Sequence, residues 1–272
     1  MMPNMTRTLP GWLAPVVEQL ELDQPSTVTV DELRAMLDSF RISVPAKVVA
    51  QRLRERGWLL ATGVRGVYEF APAAHAGPVG RGDPFGLVHA VLASQSDSSI
   101  VVALGSAAWA HGLADRTPET LEVAFASSER ASVAIRRAAR PVTFDARLDP
   151  EVRKGVPVQT LATMLVHMAA KPRDVRAWGS ASEWLGDVAV EAGDERIMLE
   201  LEGRPESVWR RLGYLIQGVH PTLAEQLRGK SSSKVWFGPR GPLRQHDEAW
   251  GIADTVLPFA PFDLSRGGEA DG

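Results

Sequence analysis

Hydrophobic residues along the first seventy positions repeat with a helical period, break, and then alternate. Leu13, Val16, Val17 and Leu20 form one stripe, which predicts a helix over residues 9–22 that Pro25 ends. Residues 27–30 are short and β-like. Thr29 with Glu32 three positions on has capping-box spacing, ahead of a helix carrying Leu33, Met36 and Leu37 inward. Residues 40–42 make a turn, and Ser43 is placed to cap the next helix, with Pro45 in its first turn. In that third helix Ala46, Val49 and Leu53 share one face, and Lys47, Gln51 and Arg54 share the opposite one. Gly57 stops it. Residues 58–62 and 67–70 then read as two strands around a turn with Gly63 and Gly66. The order helix, short strand, helix, helix, hairpin predicts a winged helix-turn-helix over residues 1–71.

Residues 72–84 are rich in proline, glycine and alanine and show no periodicity, which predicts a linker. From 85 to 262 helical and strand-like runs alternate. Helices are expected at 88–93, 106–111, 161–170, 184–190, 196–201, 207–216 and 223–227. Strands are expected at 100–104, 121–125, 142–144, 156–158, 235–237 and 255–257. The fold class is therefore mixed α/β: an N-terminal winged helix-turn-helix followed by a larger C-terminal α/β domain. Residues 263–272 read as a disordered tail.

Composition sharpens this outline. A chain of 272 residues favours two domains. There is no cysteine, so thiolate and disulfide chemistry are excluded. No apolar run reaches the roughly 18–20 residues of a membrane span, and no secretory layout opens the chain, so a cytoplasmic protein without membrane contact is expected. The net charge is −3, yet residues 41–66 hold six cations (Arg41, Lys47, Arg52, Arg54, Arg56, Arg65) against Glu55 alone. That local +5 leaves −8 for the rest of the chain. Such asymmetry marks one patch that attracts polyanions. In a major groove, Gln51 can pair with adenine and Arg54 or Lys47 with guanine. Arg52 and Arg56 point elsewhere, toward phosphate or neighbours, and Arg65 at the wing tip can reach the backbone or minor groove. About five phosphate contacts would give a salt slope near −4 to −5.

Enzyme signals are weak. RGKSSSK (228–234) ends like a phosphate loop but has Ala224 where the pattern needs glycine, and reads as a plain loop. Residues 103–113, ALGSAAWAHGL, place Gly-Ser between a strand and a helix, as nucleotidyltransferases do. The following strand, LEVAF, carries only Glu122 where that chemistry needs paired carboxylates for Mg²⁺. The six histidines are scattered without metal-ligand spacing. No catalytic, cofactor or metal site is expected. Trp178, Trp184, Trp209 and Tyr214 could line a ligand pocket, although packing is the commoner role for such residues. A ligand-sensing regulator is thus the alternative function, and a nucleotidyltransferase-like enzyme a weaker one.

Four segments in succession carry a resemblance. They are the Gly-Trp-Leu hairpin start at 57–59, GSAAWAHGLAD at 105–115, GVPVQTLATMLVHMAAKP at 155–172 and WRRLGYLIQGVHPTLAEQL at 209–227. In order and spacing the chain resembles the AbiEi family of antitoxins, partners of AbiEii nucleotidyltransferase toxins in bacterial phage-defence operons. The resemblance implies an autorepressor that binds inverted-repeat operator DNA through its N-terminal domain and counters the toxin through its C-terminal domain. It implies a non-enzymatic protein with two partners, double-stranded operator DNA and an AbiEii-like toxin, acting as a monomer or as a pair brought together on DNA. Its DNA-contacting positions carry over as Lys47, Gln51, Arg52, Arg54 and Arg65.

Overall fold

The first helical stripe begins as a 3-10 turn at Gly11–Leu13 and continues as α1 (Ala14–Asp23). These belong to a computed structural model of the chain that describes residues 9–73, 83–229 and 233–264. β1 (Thr27–Thr29) leads into α2 (Val30–Ser39), whose N-terminus is closed by a complete capping box. The Thr29 N–H donates to the Glu32 carboxylate at 2.7 Å, and the Glu32 N–H donates back to the Thr29 hydroxyl at 3.1 Å. α3 (Ala46–Glu55) follows a turn, then β2 (Leu59–Ala61) and β3 (Val67–Phe70). The three strands pair antiparallel in the order β1-β3-β2, so the hairpin shares one sheet with the strand ahead of α2. This is the topology of a winged helix. Leu13, Val16, Leu20, Leu33, Leu37, Val49, Leu53 and Phe70 form its core.

Ser43 does not cap α3. The cap position is Pro45, whose carbonyl accepts from the N–H groups of Val48 and Val49. The chain divides into two compact units, residues 1–100 with 131–140, and residues 101–130 with 141–272. The helix α4 (Gly86–Ser94), placed by sequence in the second region, packs on β1 and β3 of the first unit. Its run of Leu87, Val88, Ala90 and Val91 is buried. Most of the expected linker, residues 74–82, lies outside the described residues, as does most of the expected tail, 265–272.

In the second unit β4 (Val101–Val102) enters α5 (Leu104–His111), and β5 (Leu121–Phe125) follows. A short helix, α6 (Val133–Ala138), clusters with the first unit. β6 (Ala139–Thr143), β7 (Glu151–Arg153) and β8 (Val156–Val158) complete a five-stranded sheet ordered β6-β5-β4-β8-β7. β4 and β8 run parallel, β4 and β5 antiparallel, and β7–β8 is a hairpin. Its two turn residues, Lys154 and Gly155, both have positive φ (52° and 77°), the conformation that matches the twist of paired strands.

Helices α7 (Leu161–Ala170), α8 (Trp178–Ala181), α9 (Leu185–Glu191), α10 (Asp194–Leu201), α11 (Glu206–Ile216) and α12 (Pro221–Leu227) come next. α7 is central: α5, α9, α10 and α11 all pack on it, and only its end residues Leu161 and Ala170 are not buried. β9 (Val235–Phe237), β10 (Gln245–Asp247) and β11 (Ile252–Asp254) form a third sheet ordered β10-β11-β9. The last strand is thus 252–254, not 255–257. The reason is Asp254, whose Oδ1 accepts from the N–H groups of Val256 and Leu257 and so turns the chain out of the sheet. No helix among the described residues is long and apolar enough to cross a membrane.

Candidate nucleic-acid interface

α3 is sharply two-faced. Ala46, Val49, Ala50 and Leu53 are buried against the other helices. Lys47, Gln51 and Arg54 are exposed, aligned by the i, i+4, i+7 spacing on the outer side. The helix ends where Gly57 (φ 73°) reverses the backbone. The Trp58 N–H returns to the Leu53 carbonyl and the Gly57 N–H to the Arg54 carbonyl, both at 2.9 Å. That stop launches β2 directly from the end of α3, so wing and helix are set by the same turn.

The exposed side chains are not equivalent. Gln51 donates from Nε2 to Glu55 Oε1 at 3.0 Å, a contact that pre-aligns its amide along the outer face. The Arg54 guanidinium sits 5.8 Å from the Tyr68 ring centroid, which ties it to the wing strand β3. Arg52 is half-buried with its guanidinium 5.4 Å from the Trp12 ring, turned toward the protein's own aromatic. Arg56 donates to the Arg52 carbonyl at 3.2 Å. Arg65 is exposed in the wing turn. There the Val64 N–H donates to Thr62 Oγ1 and that hydroxyl donates to the Val67 carbonyl at 2.8 Å, with Gly63 and Gly66 at positive φ. The structure therefore brings Lys47, Gln51 and Arg54 onto one helix face, leaves Arg65 on the wing, and separates Arg52 from them. Trp58 is buried, and Trp12 and Tyr68 pack against the core.

Between α2 and α3, Arg41 adopts φ 55°. It occupies the helix-terminating position that glycine usually takes, with the Ile42 N–H bonded to the Leu37 carbonyl and the Arg41 N–H to that of Asp38. Its exposed cation lies in the turn preceding the outer face of α3.

In the second unit the Gly-Ser segment is occupied by the protein itself. The Gly105 N–H donates to Glu122 Oε2 at 2.9 Å, and the Glu122 N–H donates to the Ser106 hydroxyl at 2.9 Å. The single acid of β5 thus closes the first turn of α5, where it favourably meets the helix dipole. Among the described residues no group of three or more His, Asp and Glu side chains is arranged to hold a metal. Of the phosphate-loop-like segment, residues 230–232 lie outside the described residues.

A buried polar chain starts beside Gly105. The Leu104 N–H donates to Gln159 Oε1 at 3.2 Å, Gln159 Nε2 lies 3.0 Å from His167 Nδ1, and His167 Nε2 lies 3.1 Å from Asp174 Oδ2. An amide nitrogen can only donate, so His167 accepts at Nδ1 and donates from Nε2: it is the neutral imidazole. Burial holds its pKa below the usual histidine value, against the opposing pull of Asp174. The ring stacks on Phe144 with centroids 4.2 Å apart. Beside it, the fully buried Glu200 accepts from the N–H groups of Arg147 and Leu148 and the Thr163 hydroxyl, and pairs with Arg204. Gln159 and Thr160 belong to the Pro-Val-Gln-Thr run at 157–160, so that run carries buried hydrogen bonds and the Thr160 cap of α7. The remaining described histidines are separate from one another. His111 bonds the Gln159 carbonyl, His89 and His220 each meet an aspartate, and His246 is exposed on β10. His75 lies outside the described residues.

The aromatic residues considered for a ligand pocket are packing residues. Trp178, Trp184 and Tyr214 are buried, and Trp178 and Tyr214 both meet the Phe237 ring. Trp178 Nε1 donates to the Pro172 carbonyl, Trp209 Nε1 to that of Arg204, and the Tyr214 hydroxyl to Asp254.

Residues 100–218 match the family model described as "AbiEi antitoxin C-terminal domain". No curated protein matches the chain. Among solved structures, the chain is similar to the RV2827C protein from Mycobacterium tuberculosis. The TM-score is 0.80 at 24% identity, with 95% of each chain covered, so the two share a fold along nearly their whole length.

Proposed function

We propose that this protein, which carries an AbiEi antitoxin C-terminal domain over residues 100–218, is an antitoxin that also represses its own promoter. Its first unit docks α3 in the major groove of inverted-repeat operator DNA. Its second unit counters a nucleotidyltransferase toxin, and the chain itself catalyses nothing. The observation that carries the DNA reading is the outer face of α3: Lys47, Gln51 and Arg54 exposed together, with Arg65 on the adjoining wing. Lys47 and Arg65 supply phosphate charge, and Gln51 and Arg54 have the donor geometry to read adenine and guanine. Arg52, held over Trp12, buttresses the helix and does not read bases. Two chains meet on the two halves of the operator. Transcriptional repression and phage defence then follow from one protein titrated between DNA and toxin.

Anisotropy with labelled duplex from the protein's own promoter tests this. Arg54→Ala is expected to lose ~1–3 kcal/mol and to discriminate less between operator and scrambled duplex. An isotherm identical to wild type removes Arg54 from the interface.

A further inference from the structure

The second unit holds a cleft of about 670 Å³. Four cations face it, Arg173, Arg211, Lys234 and Arg240, together with the hydroxyls of Ser207 and Ser233, and no carboxylate lines it. A smaller cavity of about 310 Å³ shares Arg173 and Arg211 and adds Lys171; its one acid, Asp174, is engaged by the His167 Nε2–H. These cations come from separate elements: the turn after α7, helix α11, and both flanks of β9. They converge in space, not in sequence.

Arg211 is the informative residue. It is half-buried, and its partners are carbonyls: Nε donates to Trp236 at 2.8 Å and Nη1 reaches Ala170 at 3.4 Å. Among the described residues no carboxylate pairs with Arg211, Lys234 or Arg240. Burial lowers the Arg211 pKa, the mark of a cation short of compensation. A guanidinium removed from water without a counter-charge is costly, and an anion in the cleft would relieve that cost. Three guanidiniums line the cleft, and the guanidinium is the group whose paired N–H donors match phosphate oxygens. The volume falls in the range of small-molecule sites.

We propose that this cleft binds a small ligand carrying two or more phosphoryl groups, of the size of a nucleoside di- or triphosphate. Arg211 is the fixed anchor, held by its two carbonyls, and Lys234 and Arg240 close on the outer phosphate from the exposed rim. This site is independent of the DNA face: it lies in the other unit and uses none of its residues.

Calorimetric titration of the full-length protein with inorganic pyrophosphate, ATP and a single-stranded 20-nucleotide DNA tests it. Pyrophosphate and ATP are each expected to bind saturably with one site per chain. Lys234→Gln with Arg240→Gln, both at exposed positions, should weaken binding by about tenfold or more, as charge-assisted hydrogen bonds of this kind do. Arg211→Met should abolish it, with an unchanged thermal melt of the rim double variant as the folding control. Lys47→Ala with Arg54→Ala should leave pyrophosphate binding intact while DNA binding falls, which keeps the two sites distinguishable. No saturable heat with either phosphate ligand at millimolar concentration overturns the proposal. So does undiminished binding in the rim double variant, or binding confined to the oligonucleotide, which would make the cleft a nucleic-acid groove.

Discussion

Replacing His167 with leucine probes the buried chain that joins α5, β8 and α7. The His167 side chain is fully buried, accepts from Gln159 and donates to Asp174. Leucine fills much of the ring's space but leaves the Gln159 amide, itself almost fully buried, without its acceptor. An orphaned buried donor costs about 1–3 kcal/mol; Asp174, partly exposed, recovers its bond from water, so about 2 kcal/mol at pH 7.5 is expected. The pH response is the sharper signature. The folded pKa of His167 lies below the unfolded value near 6.5, so the unfolded chain binds more protons in mild acid. The wild type therefore keeps this stability above about pH 6.5 and loses it as pH falls, by up to about 1.4 kcal/mol per pH unit while the folded group stays neutral. Between pH 7.5 and 5.0 the ceiling on that loss is about 2 kcal/mol, and the loss is absent in His167→Leu. Urea unfolding of both proteins at the two pH values measures it. Equal pH sensitivity in the two proteins would refute the neutral, doubly bonded imidazole.

Three further outcomes follow from local geometry. Thr29→Ala removes one arm of the capping box of α2 and should lower stability by about 1 kcal/mol in chemical denaturation. Gly213→Ala should destabilise the protein despite alanine's helical preference: a Cβ there would lie 2.5 Å from the Trp250 ring, which a 2.7 Å bond to Gln217 holds in place. A net loss of about 1–2 kcal/mol is expected, and a raised Tm would contradict it. Tyr214→Phe leaves the buried Asp254 short of one donor and should cost about 1–3 kcal/mol, read by the same denaturation assay.

The first unit was legible because its signals are local. The 3.6-residue period of α1 to α3, the Thr29–Glu32 pair and Gly57 each act within one turn of chain, and each fixes an element that the structure contains. The charged outer face of α3 could be read the same way. Helical spacing already turns Arg52 away from that face, toward phosphate or neighbours, and the fold identifies the neighbour as Trp12. The strand at 252–254 was misplaced by three residues because the deciding group is a side chain, Asp254, turning back on its own backbone. α4 follows the linker in the chain yet packs on β1 and β3, which its apolar run could not reveal: the run says that it is buried but not against what. The cationic cleft was invisible for a similar reason: Arg173, Arg211 and the Lys234–Arg240 stretch lie in three separate parts of the sequence, and only the fold brings them together. Sequence did point to the 155–172 segment, but as a resemblance; the hydrogen bonds of Gln159 and Thr160 give it a physical cause.

The salt dependence of operator binding tests the central claim most directly. With Arg52 engaged at Trp12, four cations remain to lie against the duplex and release its counterions: Lys47, Arg65 and Arg41 (in the turn ahead of α3) at phosphates, and Arg54 at a base edge. The slope of log K against log salt should then be about −4 per bound chain on promoter DNA. Replacing Lys47, Arg54 and Arg65 together with alanine should flatten it to about −1. A slope near zero in the wild type, or one that the triple substitution leaves unchanged, would contradict DNA docking by α3 and its wing.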